Sequence, residues 1–144
     1  MFSQPVKHVM EQKRLLTASP STTVSEAARQ MAKRKVGAVL VVDRGSLVGI
    51  FTERDAVFRV IAQDRDSHTT LLADVMTPSP KTVTPDKSFG DALLVMHENG
   101  FRHLPVLEGD KLVGIVSARN ALDPDLEEFV SEAERRAHFL RERS

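Results

Sequence analysis

The chain contains no cysteine, which excludes disulfide bonds, thiolate nucleophiles and zinc sites that use thiolate ligands. Tryptophan and tyrosine are also absent. The net charge is zero, because 20 lysines and arginines balance 20 aspartates and glutamates. With no net field of either sign to attract nucleic acid or an anionic membrane surface, an anion-binding site has to be built locally.

The sequence also lacks the patterns that membrane proteins and common enzymes carry. No apolar run approaches about 18 residues and the amino terminus has no signal pattern, so we expect a cytoplasmic protein without membrane contact. The five histidines show no metal-ligand spacing, no serine lies in a nucleophile elbow, and no P-loop or Rossmann glycine loop occurs. We therefore expect no enzyme activity, no metal site and no catalytic cofactor.

An internal repeat dominates what the sequence does contain. Residues 47–56 (LVGIFTERDA) return as residues 112–121 (LVGIVSARNA), an offset of 65. Upstream, Val9-Met10 matches Val75-Met76 at an offset of 66. Each ten-residue stretch is a short apolar run that reaches a hydroxyl residue, with a carboxylate or amide three positions later, which is typical of a strand leading into a helix. Because one unit of about 60 to 70 residues would be marginally stable alone, we expect the copies to share a core.

Each copy predicts the same order of elements. A short strand is followed by an amphipathic helix, an antiparallel strand pair and a final helix, and Thr23 with Glu26 forms a predicted capping box at the first of these helices. The pattern predicts two β-α-β-β-α repeats of the α+β class and a C-terminal helix. The predicted boundaries are repeat 1 at 6–62, a linker at 63–70, repeat 2 at 71–122 and an amphipathic helix at 123–144.

This duplicated arrangement, with a glycine in the last apolar run and a hydroxyl-x-x-Asp signature after it, resembles the CBS-domain family over nearly all of residues 6–122. The resemblance implies a stand-alone tandem pair, or Bateman module. Its repeats would pack pseudo-symmetrically through their sheets, in a sandwich-like fold with two clefts. Such clefts commonly take adenosine-containing ligands: AMP, ADP, ATP, NAD(H) or S-adenosylmethionine. The family also implies a homodimer of two modules and a regulated partner protein that the sequence does not identify.

The signature Thr52-Glu53-Arg54-Asp55 has a local interpretation and a functional one. Locally, Thr52 caps a helix and Asp55 occupies its third position, where a carboxylate suits free backbone N–H groups. A helix start also offers N–H donors to a phosphate, whereas a carboxylate repels phosphate and suits neutral ribose hydroxyls. The family resemblance assigns the same roles, Asp55 on the ribose and Thr52 near the sugar and phosphate. The second copy has Ser117 and Asn120, an amide that loses about 1 kcal/mol of charge-assisted strengthening.

A second difference between the copies lies where the first hairpin strand begins. Arg102 and His103 in copy two align with Gly37 and Ala38 in copy one. The basic pair is either a solvated start of a strand or a phosphate clamp, since arginine offers a fixed fork of donors. The small pair permits close approach of an adenine ring to the main chain.

In the resembling family, basic residues at this position face the phosphate of a nucleotide whose ribose is held by the opposite repeat. The resemblance therefore implies one complete cleft formed by Thr52, Asp55, Arg102 and His103. It implies a second, weak or empty cleft formed by Ser117, Asn120, Gly37 and Ala38. Further candidates for the lining are Thr17, Lys35 and Val36, while Arg54 and Arg119 either reach phosphate or project into solvent.

Two kinds of function stay open on these grounds. The first is a regulatory sensor that binds an adenine nucleotide and modulates a partner protein through a ligand-dependent shift. The alternative is a ligand-independent interaction or scaffold protein that acts through the C-terminal helix, which either packs on its own domain or contacts a partner. Nucleic-acid binding is disfavoured by the zero net charge and the absence of interleaved aromatic residues.

Overall fold

Two β-hairpins, one from each copy of the repeat, frame the fold in the computed structural model, which describes residues 2–122, 132–133 and 135–137. The strands are β1 (Thr17–Ala18), β2 (Ala38–Asp43), β3 (Ser46–Thr52), β4 (Thr77–Pro78), β5 (His103–Glu108) and β6 (Lys111–Ser117). The α-helices are α1 (Val24–Arg34), α2 (Glu53–Asp55), α3 (Leu72–Val75) and α4 (Phe89–Asn99). Turns of 3-10 helix occupy Val6–His8 and Ala118–Leu122. The α+β class and the two-repeat organisation are confirmed.

The predicted final helix of the first copy begins at Glu53 but forms in a different geometry. Only its first turn is α-helical, and Ala56–Ile61 continues as a π-helix. Its backbone bonds run over five residues, as from the Ala62 N–H to the Val57 carbonyl at 2.8 Å. In the second copy the described part of the corresponding segment, Ala118–Leu122, is 3-10 helix.

The hairpins repeat each other in register as well as in sequence. Ala38 lies opposite Thr52 in the first hairpin, and His103 lies opposite Ser117 in the second. Both registers shift at the same place, after Val41 and after the aligned Val106. The functional positions at the hairpin ends are therefore placed equivalently in the two copies.

The two long helices each begin after a hydroxyl residue that caps the first turn. The Thr23 and Ser88 side chains accept hydrogen bonds from the N–H groups of residues 26 and 91, which satisfies a free donor of each first turn. A capping box also requires the Glu26 side chain to accept from the Thr23 N–H. This part of the prediction is wrong, because the Glu26 carboxylate instead accepts from Arg29 and Gln30. Each helix buries an apolar stripe against the hairpin of its own copy.

The segment that precedes each copy pairs with the hairpin of the other copy. We call residues 4–11 and 70–78 the leading segments. β4, in the second leading segment, pairs with β3 of the first copy, Thr77 opposite Ile50. Glu11, in the first leading segment, makes the equivalent bridge to Ile115 of the second copy, with N···O distances of 2.8 and 3.0 Å. Each leading segment therefore completes the sheet of the copy that it does not directly precede.

Burial follows the same crossing. Leu72 and Val75 lie in the hydrophobic core of the first copy, whereas Val6 lies in that of the second. The backbone bonds match as well: the Leu72 N–H donates to the Thr22 carbonyl at 2.9 Å, and the Val6 N–H to the Lys87 carbonyl at 2.7 Å. The predicted repeats, 6–62 and 71–122, therefore each begin with a segment that is buried in the core of the other copy.

A third apolar cluster joins the two copies and confirms the predicted shared core. Ala38, Leu40 and Ile50 of the first hairpin are buried there, and Leu112 and Ile115 of β6 pack against them. The predicted C-terminal helix at 123–144 lies outside the described residues except for 132–133 and 135–137, which are helical and exposed. Within the part of the chain that is described, no helix is long and apolar enough to cross a bilayer.

Because of this crossed packing, we expect alanine to destabilise the protein more at Gly114 than at the equivalent Gly49. A Cβ at Gly114 would lie 2.7 Å from the Met10 sulfur and 3.0 Å from the Glu11 carbonyl oxygen, which is fixed by its bond to Ile115. At Gly49 the nearest atoms all belong to the Met76 side chain, which is flexible. We expect Gly114→Ala to lower the free energy of unfolding by about 1 to 3 kcal/mol. Gly49→Ala should cost less, and an equal or larger loss in urea denaturation would contradict the packing of the first leading segment on β6.

Candidate functional site

A closed set of hydrogen bonds links the end of β3 to the start of α2. The Thr52 N–H and hydroxyl donate to Asp55 Oδ2 at 2.9 and 3.2 Å, and the Asp55 N–H lies 3.4 Å from the Thr52 hydroxyl. Asp55 is 9% exposed. This capping box confirms the local prediction for Thr52 and Asp55, and it holds a carboxylate at the point where strand becomes helix.

The second copy repeats the two bonds donated by the hydroxyl residue, with an amide as the acceptor. The Ser117 N–H and hydroxyl donate to Asn120 Oδ1 at 2.8 and 3.2 Å, within 0.1 Å of the first copy. The negative charge of Asp55 is therefore not needed to form the box. A charge that local structure does not require is available for another role.

Asp55 Oδ1, the oxygen that does not accept from Thr52, faces Arg59. The distance from Arg59 Nε is 3.6 Å, and the same guanidinium donates through Nη1 to the carbonyls of Val75 and Met76 at 3.3 and 3.0 Å. Position 124, which aligns with Arg59 at the offset of 65, is proline. Sequence reasoning missed Arg59, although the joint replacement of aspartate and arginine in copy two was a visible signal.

His103 connects the two copies at the start of β5. Its strand partner is Ser117, but a Cβ placed on Gly37 would lie 3.6 Å from His103 Nε2 and would also contact the Glu53 carboxylate. Burial lowers the pKa of the His103 imidazole below its ordinary value of 6.5, outweighing the opposing effect of Glu53, and the Arg102 charge lowers it further. Neutral His103 therefore stands beside Glu53, the residue next to Thr52. Sequence reasoning missed Glu53, whose proximity to His103 depends on packing between the copies.

The other predicted residues fall into three groups. Arg54 points across to the second copy, donating to the Gly100 carbonyl at 3.4 Å with its guanidinium carbon 5.3 Å from the Phe58 ring centroid. Thr17, Lys35, Arg102 and Arg119 are exposed. Val36 is half-buried beside the buried Ala38.

Two surface grooves lie away from the box. One has a volume of about 570 Å³ between residues 82–84 and α4, and the other, about 290 Å³, is its equivalent between β1 and α1. Thr17 lines the smaller groove, but Thr52, Asp55 and His103 line neither. The candidate site is therefore defined by its polar groups at the junction of the copies, and it lies in neither groove.

Comparison with known proteins gives a consistent family. The sequence model of the CBS domain matches residues 6–62 and 72–125. The CBS domain-containing protein YhcV of Bacillus subtilis is 40% identical over 101 residues, 70% of this chain and 71% of that protein. This chain spans only 18% to 65% of the length of several other curated relatives that it matches.

Solved structures agree with this match. An uncharacterised conserved protein from Pyrococcus horikoshii superposes with a TM-score of 0.79 at 33% identity, over 85% of this chain and 92% of that chain. The CBS domain pair of protein MJ0100, solved in complex with 5′-methylthioadenosine and S-adenosylmethionine, has a TM-score of 0.74 at 25% identity. That alignment covers 82% of this chain and 92% of that one.

The lowered pKa of His103 predicts how stability depends on pH. Below about pH 6.5 the unfolded chain binds a proton at this histidine that the folded protein resists, so the free energy of unfolding falls as the pH drops through that value. Above it both states are neutral and the contribution is constant. Urea unfolding at pH 7.5 and 5.5 should show a smaller acid-induced loss for His103→Gln than for the wild type. His97→Gln, at an exposed position on α4, is the control; an unchanged pH dependence in His103→Gln would contradict the burial of the imidazole.

Proposed function

This chain belongs to the CBS-domain family, and on that premise we propose that it is a regulatory module that binds an adenosine-containing ligand beside the Thr52–Asp55 box. The observation that carries the proposal is a buried carboxylate whose charge the box does not need, with His103 of the other copy next to Glu53. An ionised carboxylate has about four acceptor positions, so Asp55 can still accept from ribose hydroxyls while bonded to Thr52. Occupancy then alters a partner protein, and no catalytic step is involved.

The ligand is oriented by the chemistry at its two ends. Asp55 takes the ribose, and Arg102 with His103 takes the phosphate, because a guanidinium fork and a neutral imidazole N–H are both donors. Adenine then lies against the main chain of residues 36–38. The MJ0100 pair supports the adenosine part, since its complex contains two molecules that share adenine and ribose. AMP is our first choice, ahead of ADP, ATP, NADH and S-adenosylmethionine.

The second cleft is proposed to be weak or empty. Its box has the same distances but offers an amide where the first has a carboxylate. The positions that align with Arg102 and His103 are Gly37 and Ala38, which supply no side-chain donor. One ligand per chain is therefore the expected stoichiometry.

Association of two modules is proposed to use the helical face that follows Asp55. Val57, Phe58 and Ile61 are 48%, 54% and 68% exposed, a cluster of large apolar side chains within five residues. Such a cluster on a surface favours burial against another protein. We propose a homodimer through this face, consistent with the disc of two modules that the family resemblance implies.

Asp55→Asn tests the ligand site without breaking the fold, because the second copy shows that an amide forms the same box. Isothermal titration of nucleotide-free protein with AMP, ADP, ATP, NADH and S-adenosylmethionine should give one site per chain for one of them. Asp55→Asn should weaken that binding by about ten-fold through loss of charge-assisted bonds. Asp91→Asn is the matched control, since Asp91 holds the same third helical position in α4 behind Ser88. No heat with any of the five would favour the ligand-independent scaffold instead.

The dimer proposal predicts that one charge on the exposed face separates the protomers. Ile61→Glu should convert the wild-type dimer to a monomer in sedimentation velocity, because a buried carboxylate without a partner opposes association. Leu94→Glu is the control, as Leu94 is also exposed, at 58%, but lies on α4. A monomeric wild type, or dissociation by the Leu94 change alone, would contradict this interface.

A further inference from the structure

Arg59 contacts two parts of the chain that are distant in sequence. Its Nε lies 3.6 Å from Asp55 Oδ1, and its Nη1 donates to the Val75 and Met76 carbonyls at 3.3 and 3.0 Å. Those carbonyls end helix α3, where the last backbone acceptors of a helix have no partner within the helix. One guanidinium therefore faces the proposed ribose carboxylate and also caps the helix of the second leading segment.

The contacts form a closed path through the first copy. Met76 leads directly into β4, and Thr77 of β4 pairs with Ile50 of β3. β3 ends at Thr52, which holds Asp55 through the box. Arg59 closes the path from Asp55 back to Met76. The Asp55 carboxylate is therefore connected through Arg59 to the second leading segment.

The second copy offers a natural comparison. Asn120 stands at the position of the aspartate and Pro124 at that of the arginine, so the second copy has neither of these two residue types at the aligned positions. The two boxes nevertheless agree in distance to within 0.1 Å. The arginine is therefore not needed to build a box, and its pairing in the first copy accompanies the carboxylate specifically.

We propose that Arg59 is a positioning residue that orients the Asp55 carboxylate and couples its occupancy to the second leading segment. This inference rests on the proposed function, because it takes ribose as the group that reaches Asp55. Because Oδ2 already accepts two bonds from Thr52, the ribose hydroxyls donate to Oδ1, the oxygen that faces Arg59. When the ribose shares Oδ1 with Arg59, the guanidinium shifts toward the carbonyls of Val75 and Met76. Its hydrogen bonds to the end of α3 then become stronger.

The test is a double-mutant cycle read by amide hydrogen exchange in ligand-free protein. The reporters are the Met76 N–H, which donates to the Leu72 carbonyl at 2.8 Å, and the Ser79 N–H, which donates to the Val48 carbonyl at 3.1 Å. Asp55→Asn should change exchange at both by at least about two-fold in the presence of Arg59, and should have no effect in an Arg59→Gln background. Arg59→Lys should behave like Arg59→Gln, because an ammonium lacks the fork that contacts both sides.

Arg65→Gln is the matched control, since it removes the same charge from an exposed position just beyond the same helix. It should leave both amides unchanged. Adding AMP as the probe should alter the same amides in the wild type but not in Arg59→Gln. Equal effects of Asp55→Asn with and without Arg59, or an AMP effect that persists in Arg59→Gln, would overturn the proposal. Absence of AMP binding with the cycle intact would instead overturn the nucleotide function and leave the coupling standing.

Discussion

Glu11 pairs with Ile115 and Thr77 pairs with Ile50, so each sheet is completed by a segment that precedes the other copy. Neither copy has its full sheet or its full core by itself, and a unit of about 60 residues would in any case be marginal. The crossing therefore holds the copies together in a fixed relation. It also fixes the ends of β3 and β6, where the two hydroxyl boxes lie, and sets the start of β5 beside Gly37 and Glu53.

The two hairpins and boxes have similar geometry, but the side chains at equivalent positions differ in charge and hydrogen-bonding type. The first has a buried carboxylate with an arginine behind it, whereas the second has an amide and a proline. The second has Arg102 and His103 at positions where the first has small residues. Acceptor and donors thus belong to opposite copies, and packing at the junction brings His103 toward the box of the first. We interpret the duplication as one functional cleft and one structural counterpart.

Much of this could be predicted from the sequence, because the relevant signals are local or duplicated. The hairpins, the caps at Thr23 and Ser88 and the Thr52–Asp55 box depend on residues within a few positions of each other. The crossing could not be predicted in this way, since Glu11 and Ile115 are far apart and pairing of distant strands leaves no local pattern. The carbonyl partners of Arg59 and the proximity of Glu53 to His103 depend on the same long-range packing. The π-helical course of Ala56–Ile61 has no signal that we can identify.

We propose that the two clefts are unequal and that the complete one combines Asp55 with residues of the opposite copy. A crystal structure of the protein grown with AMP tests this most directly. The expected result is one nucleotide per chain, with its ribose hydroxyls on the Asp55 carboxylate and its phosphate beside Arg102 and His103. A nucleotide bound at Asn120 with the Asp55 side empty, or one bound in the groove between residues 82–84 and α4, would contradict it.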